Sequence, residues 1–340
     1  MCYGHGHPHL PWRCNHLRKT ASPPKQAPAL GKKALGSRVI FALRRDWQLY
    51  LFMILPVIYI LIFKYGPMTG LQLAFRNYKA KDGLYGSEWI WFDNFIKFFE
   101  SYQFSRTLKN TIILSAYTLI CNTIIPITFA LILNCVEMPR FKKITQTIVT
   151  LPHFISVVVL IGIVMQVLNS RTGLYGILYE SITGKYPEDI FGQLGSFRHV
   201  YVWSGVWQSF GWNAIIYIAT LSGVDNGLHE AAQLDGASRF QRVLHVDLPH
   251  IMPTAITLTI MNIGKLMSLG YEKALLLQNS LNLEYSELIS TYVYRVGLSG
   301  EVRSDFAYAT AIDFFNAIIN LILIVVANRA SKKVSDTSLW

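Results

Sequence analysis

The 340-residue sequence has few charged residues and few cysteines. Only 15% of its residues are charged and 52% are apolar, which is more apolar than the average soluble domain. The four cysteines, at positions 2, 14, 121 and 135, show no spacing typical of a disulfide framework. The composition therefore disfavours both a soluble globular domain and a disulfide-rich secreted one.

Motifs of several enzyme classes are also missing. No G-x-x-x-x-G-K-[ST] sequence occurs, so no P-loop binds ATP phosphates. No G-x-S-x-G and no candidate triad occurs, and no metal-ligand spacing is found beyond residue 38, so we predict no catalytic or metal site there. A membrane glycosyltransferase would need clustered carboxylates, whereas Asp225, Asp235 and Asp247 are scattered along one segment.

What the sequence has instead is long uncharged runs. About 20 apolar residues are enough to cross a bilayer as a helix. Six runs meet this description or approach it: Gln48–Phe63, Thr111–Val136, Ile144–Ser170, His199–Val224, Leu248–Tyr271 and Phe306–Asn328. We therefore predict an all-α integral membrane protein with six transmembrane helices, formed by residues 39–340.

Residues 1–38 have a different composition. They are rich in proline, histidine and basic residues, which predicts a disordered cytoplasmic tail. Four histidines and two cysteines within the first sixteen residues leave a metal site open as an alternative, and a plain tail is the simpler interpretation.

The distribution of lysine and arginine predicts the orientation. With a cytoplasmic N-terminus, the inner segments carry 17 of the 31 basic residues, including Arg44 and Arg45 before the first span. Both termini and the loop 223–249 are then cytoplasmic. This asymmetry also accounts for most of the net charge of +11, so we predict no nucleic-acid partner.

The loop contains a compact polar segment, EAAQLDGASRFQRVLHVDLP, from Glu230 to Pro249. Gly236 can take the left-handed conformation that ends a helix. Ser238 is a good N-cap for a second helix, and Pro249 stands where the next span begins and needs no amide donor. We predict a helix–turn–helix elbow with a small-residue surface at Ala231, Ala232 and Gly236, suited to docking in a partner's groove.

The motif of Glu230-Ala231-Ala232, Gly236, Val246 and Leu248-Pro249 resembles the EAA loop of binding-protein-dependent ABC importer permeases. Val246 replaces the isoleucine that is usual there. In that family the loop forms coupling helices that sit in a cleft of the ATPase subunit. The resemblance implies an ATPase-coupling role for seven residues: Glu230, Ala231, Ala232, Asp235, Gly236, Leu248 and Pro249.

Further segments, such as IFKYGPMTGLQLAFRNY (62–78) and GYEKALLLQNSLN (270–282), resemble the polysaccharide-type branch of the maltose-permease superfamily. The resemblance implies a bacterial cytoplasmic (inner) membrane protein that assembles with a second permease, two ATPase subunits and a solute-binding protein. It implies that ATP and Mg bind to the ATPase and that this chain, surrounded by lipid, holds no cofactor. An ion-coupled secondary transporter is the alternative, and the internal repeat that it would need was not found.

Charges inside the spans bear on the substrate. Lys265 and Asp313 are single charges in the fifth and sixth predicted spans, so each needs a partner or a wet cavity. They either pair with each other, or Lys265 meets a substrate carboxylate. The second possibility predicts an acidic oligosaccharide, alginate first and galacturonides next. Four further residues complete the predicted substrate path, with belt or core positions as the alternative for the two tryptophans: Trp203, Trp207, Tyr271 and Glu272.

Overall fold

The computed structural model describes residues 45–193, 195–299 and 304–334, which are predominantly helical. The chain divides into two units, residues 1–66 and 67–340. The predicted tail, residues 1–38, lies outside the described residues, and so does its histidine-rich segment.

The described residues form helices connected by short turns, with one small β-hairpin. The helices are α1 (Trp47–Ile60), α2 (Gly83–Gly86), α3 (Asp93–Phe99), α4 (Tyr102–Asn134), α5 (Pro139–Thr150), α6 (Val157–Val167), α7 (Leu174–Thr183), α8 (Ser196–Leu221), α9 (Asn226–Leu234), α10 (Arg239–Arg242), α11 (Leu248–Ile263), α12 (Tyr271–Leu277), α13 (Leu283–Ser286), α14 (Ile289–Gly297) and α15 (Phe306–Val334). A π turn and a 3-10 segment extend α1 to Phe75. Strands β1 (Arg76–Asn77) and β2 (Glu88–Trp89) pair antiparallel, with Arg76 opposite Trp89.

Several helices are suited to a membrane. Four in the described residues are long and apolar enough to cross one: Trp47–Phe75, Tyr102–Asn134, Arg239–Ile263 and Phe306–Lys333. Counting a bent pair, Pro139–Phe154 with Val157–Val167, as one span makes five. The remaining predicted span is α8, whose 26 residues extend about 39 Å, although it is not among these candidate spans. The predicted all-α membrane architecture is confirmed.

The predicted span Ile144–Ser170 is not one straight helix. A 3-10 turn at Leu151–Phe154 separates α5 from α6, and the two helices are bent by 99°. Pro152 lies in this turn and has no amide hydrogen to continue the helix. Ser156 then starts α6 by accepting a hydrogen bond from the Val159 amide at 3.4 Å. The freed carbonyl of Ile155 accepts from Gln208 Nε2 of α8 at 2.7 Å.

The predicted span Leu248–Tyr271 is also interrupted. Helix α11 ends at Ile263, and the chain then runs through turns and irregular backbone until α12 begins at Tyr271. Hydropathy alone predicts a continuous helix here, because the residues of the break are themselves mostly apolar or small.

The folded core of residues 67–340 is built around the contact between α4 and α8. One apolar cluster on this contact includes Leu114, Ile161, Tyr201, Val202 and Val206. A second cluster joins α4, α8 and α11: Ala130, Ala214, Tyr217, Leu221, Ile251 and Ala255. A third packs α15 against α3 and α14 through Phe98, Ile289, Tyr308 and Ile312. These helices therefore form one packed bundle.

Gly211 of α8 marks a close contact with α5, and its replacement tests the packing. A Cβ added there would lie 2.2 Å from the carbonyl oxygen of Val149 in α5, which is backbone and cannot turn aside. We expect Gly211→Ala to destabilise the protein by about 1–3 kcal/mol through overpacking. The matched control is Gly264→Ala, whose Cβ would meet the flexible end of Ile324 at 2.7 Å. Thermal denaturation in detergent should show the larger decrease for Gly211→Ala, and equal decreases would contradict this account.

Candidate transport and coupling sites

The predicted elbow is present, and local interactions build it. Asp225 caps α9 by accepting a hydrogen bond from the Gly227 amide at 2.9 Å. At the other end, Gly236 has a φ of +80°, the Gly236 amide donates to Gln233 O, and the Ala237 amide donates to Ala232 O. These two bonds and the left-handed residue form a Schellman motif.

A capping box starts the second arm of the elbow. Ser238 Oγ accepts from the Gln241 amide at 3.3 Å, and Gln241 Oε1 accepts from the Ser238 amide at 2.7 Å. A π turn, Val243–Asp247, then joins α10 to α11 without a gap. The predicted left-handed glycine and the predicted N-cap are both confirmed.

The elbow presents a mixed surface. Of the predicted coupling residues, Glu230, Ala231, Asp235, Gly236 and Pro249 are exposed, and Ala232 and Leu248 are partly buried. Two large apolar side chains that the sequence analysis did not select, Leu234 and Phe240, are 89% and 74% exposed. The elbow therefore exposes large apolar side chains among polar ones.

Side chains of α15 form hydrogen bonds with the backbone of the break between α11 and α12. Asn320 Oδ1 accepts from the Met267 amide at 2.9 Å, and Asn316 Nδ2 donates to the Met267 carbonyl at 3.1 Å. Asn320 Nδ2 also donates to Ser268 Oγ at 2.8 Å. On the other side, Ser115 Oγ of α4 donates to the carbonyl of Leu266. Irregular backbone at membrane depth needs such partners or a wet cavity.

A polar cavity of about 190 Å³ lies beside this break. The residues that line it come from α4, α8, the end of α11 and the break: Ser115, Thr118, Leu119, Asn122, Asn213, Asn262, Lys265, Leu266 and Leu269. Three asparagines and one lysine face this space, so it offers hydrogen-bond donors and a single positive charge. That combination suits a hydroxyl-rich anionic ligand.

The structure separates Lys265 from the other predicted substrate-path residues. The described residues contain no ion pair between Lys265 and Asp313, so the direct pairing is not formed. Trp203, Trp207 and Glu272 are exposed, and Tyr271 stacks on Tyr294 with ring centroids 5.2 Å apart. None of these residues lines the cavity around Lys265. Their sequence positions near apolar runs carried no information about which side of a helix they occupy.

Two buried charges elsewhere in the bundle were missed by the sequence analysis. Glu287 is fully buried and forms ion pairs with Arg106 and Arg295. Lys273 of α12 is 9% exposed, and its Nζ donates to the Tyr201 carbonyl at 2.6 Å. Tyr201 is 72 residues from Lys273 in sequence and Arg106 is 181 residues from Glu287, so no local pattern indicates these two contacts.

Comparison with known proteins identifies the family. Residues 127–336, more than half of the chain, match the family model described as the binding-protein-dependent transport system inner membrane component. The chain belongs to this family. It is an inner-membrane permease, the transport subunit of a binding-protein-dependent ABC sugar importer. Membership of this family excludes the two alternatives from the sequence analysis, a secondary transporter and a glycosyltransferase.

Similar proteins agree over nearly the whole chain. The polygalacturonan/rhamnogalacturonan transport system permease protein YteP of Bacillus subtilis (strain 168) is 37% identical, over 93% of this chain and 98% of YteP. Protein LplB of the same strain is 37% identical, over 88% and 93%. The crystal structure of a bacterial ABC transporter involved in the import of the acidic polysaccharide alginate matches with a TM-score of 0.79 and 37% identity, over 88% of this chain and 99% of that one. A second structure of the alginate transporter, in complex with a periplasmic protein that binds alginate pentasaccharide, gives 0.80 and 36%, over 89% and 100%.

Gly236 tests how this permease builds its elbow. An alanine at φ +80° is strained by about 1–2 kcal/mol, whereas asparagine tolerates this conformation. We expect Gly236→Ala to increase hydrogen exchange in residues 226–242 and Gly236→Asn to leave it near the original rate. Both variants should leave exchange in α4 and α8 unchanged, because no atom lies within 4 Å of the added Cβ. Equal exchange in the two variants would contradict a conformational role for the glycine.

Proposed function

We propose that this chain is one of two permease subunits of an ATP-driven importer, and that it moves acidic oligosaccharides from a solute-binding protein into the cytoplasm. The elbow formed by α9 and α10 docks on the ATPase subunit. The observation that carries this assignment is the exposed elbow, in which the motif residues and the exposed Leu234 and Phe240 share one loop.

The energy source follows from the same elbow. ATP and Mg bind to two ATPase subunits, and this chain transmits their movement. Its two termini and the elbow lie on the cytoplasmic side, as the excess of lysine and arginine in these segments predicts. The alginate transporter, structurally similar to this chain, has been crystallised with a periplasmic binding protein, which supports delivery of the substrate by such a partner.

The cavity beside Lys265 supports the substrate class. A cation facing asparagine side chains next to unwound backbone can bind a uronate carboxylate while the amides bind ring hydroxyls. YteP is named for polygalacturonan and rhamnogalacturonan, and the structural neighbours for alginate. All of these polymers carry uronic acids, so oligomers of uronic acids are the proposed substrates.

Uptake by the reconstituted complex tests the energy source. Proteoliposomes that contain this chain, its partner permease, the ATPase and the binding protein should import oligogalacturonate or oligoalginate only when ATP reaches the ATPase. Collapse of the proton or sodium gradient should have no effect. Gly236→Asn retains the turn but adds bulk at the docking surface, so it should lose ATPase subunits during purification. Uptake that needs an ion gradient and no ATP would refute the proposal.

Charge replacement at Lys265 tests the substrate class. Lys265→Gln should raise the KM for transport of galacturonate oligomers by about 10- to 100-fold, since a charge-assisted hydrogen bond contributes about 1.5–3 kcal/mol. Lys265→Arg keeps the charge and should retain most of the activity. Galactose oligomers, which carry a hydroxymethyl group in place of each carboxylate, are the matched substrates. A loss of equal size for galacturonate and galactose oligomers would contradict carboxylate recognition by Lys265.

A further inference from the structure

Asp247 is a buried carboxylate at the base of the elbow. It is 3% exposed and ends the π turn that joins α10 to α11. Its Oδ1 accepts a hydrogen bond from Asn134 Nδ2 at 3.3 Å and lies 3.3 Å from His229 Nε2. Asn134 is the last residue of α4, and His229 lies in α9. One carboxylate oxygen therefore contacts two other helices at the point where α11 begins.

Helix α9 depends on polar contacts of this kind. All of its residues are described, and none of its side chains is buried. Apolar packing therefore holds α9 only weakly, whereas α4 and α11 already share an apolar cluster that contains Ala130, Ile251 and Ala255. The Asp247 contacts add α9 to this packed body.

The chemistry favours keeping these three groups together. Buried carboxylates are costly unless they are hydrogen-bonded or paired, so a movement that pulls His229 or Asn134 away from Asp247 carries a free-energy penalty. The π turn Val243–Asp247 is the local distortion that places Asp247 inside, and such turns are frequent at functional sites. We call Asn134, His229 and Asp247 the elbow clamp.

We propose that Asp247 is a positioning residue that couples the elbow to the transport pathway. Through the elbow clamp, α9 and the adjoining ends of α4 and α11 move as one body when the ATPase subunit displaces α9. Helix α4 also lines the cavity of Lys265, through Ser115, Leu119 and Asn122, so a displacement of its end reaches that cavity. This inference rests on the proposed docking of the elbow on an ATPase subunit.

An exposed ion pair nearby provides a matched control. Arg239 Nη2 lies 2.8 Å from Glu137 Oε1, and it links α10 to the segment after α4. The two side chains are 67% and 79% exposed, and pairs this exposed contribute little. Glu137→Gln therefore removes an exposed ion pair between α10 and the segment after α4 without disturbing a buried carboxylate.

A cysteine introduced into the cavity of Lys265 reports whether nucleotide binding to the ATPase changes the accessibility of that cavity. The complete complex is purified with this chain's four cysteines replaced and with Leu119→Cys introduced. The rate of maleimide labelling at position 119 is then measured with and without a non-hydrolysable ATP analogue. We expect the nucleotide to change this rate by at least about fivefold, the lower end of usual coupling between sites.

Variants of the elbow clamp should lose this response while still retaining ATPase subunits. Asp247→Ala and His229→Ala should each abolish the nucleotide effect, and the double variant should be no worse than either, because the two residues act as one unit. Asp247→Asn keeps an acceptor for Asn134 and should retain part of the response. Glu137→Gln should respond like the parent. Because His229 is partly exposed, His229→Ala decides the question even where Asp247→Ala fails to assemble.

Two kinds of outcome distinguish failure of the elbow clamp from failure of the proposed docking. A full nucleotide response in His229→Ala and in Asp247→Asn would overturn the elbow clamp, and so would a parent complex whose labelling rate ignores the nucleotide. Loss of ATPase subunits from the parent complex would instead overturn the proposed docking on which the elbow clamp rests.

Discussion

The constraint on which the arrangement depends is the satisfaction of irregular backbone inside a bilayer. Helix α11 stops at Ile263, and the amide and carbonyl of Met267 would be costly without partners. Asn316 and Asn320 of α15 supply them, and the Ser115 hydroxyl satisfies the neighbouring carbonyl of Leu266. These polar side chains make a local interruption stable, and Lys265 within that interruption lines the cavity.

A second break follows the same rule with different residues. Pro152 interrupts the segment between α5 and α6, and Gln208 of α8 satisfies the freed carbonyl of Ile155. Both breaks lie next to α4 or α8, whose mutual contact forms the centre of the bundle. Kinked and unwound segments therefore pack against two long continuous helices. This arrangement gives a transport protein polar surfaces at membrane depth without loss of a continuous core.

Features that depend on local interactions were predictable from the sequence, whereas features that depend on distant residues were not. The elbow was predictable because two local features build it, the Gly236 turn and the Ser238 cap. The residues that form each feature lie within four positions of that glycine or serine in sequence. The breaks were not predictable from hydropathy, because their stability comes from Asn320 and Gln208, which are more than fifty residues away. Lys265 and Asp313 are similar in sequence context, yet of the two only Lys265 lines the cavity.

The two ends of α4 show how buried charge is matched to rigidity. Near its start, Asn110 donates to the carbonyl of Glu287, whose carboxylate is neutralised by two arginines. Two opposite charges on one buried carboxylate make that end costly to rearrange. At the other end, Asp247 has an amide and an imidazole as its partners. An amide is a neutral donor, and charge-assisted hydrogen bonds such as those from guanidinium groups are about twice as strong as neutral ones. The two arginine partners of Glu287 therefore lie toward the end of α4 away from the elbow, and the end beside the elbow is held by an amide and an imidazole.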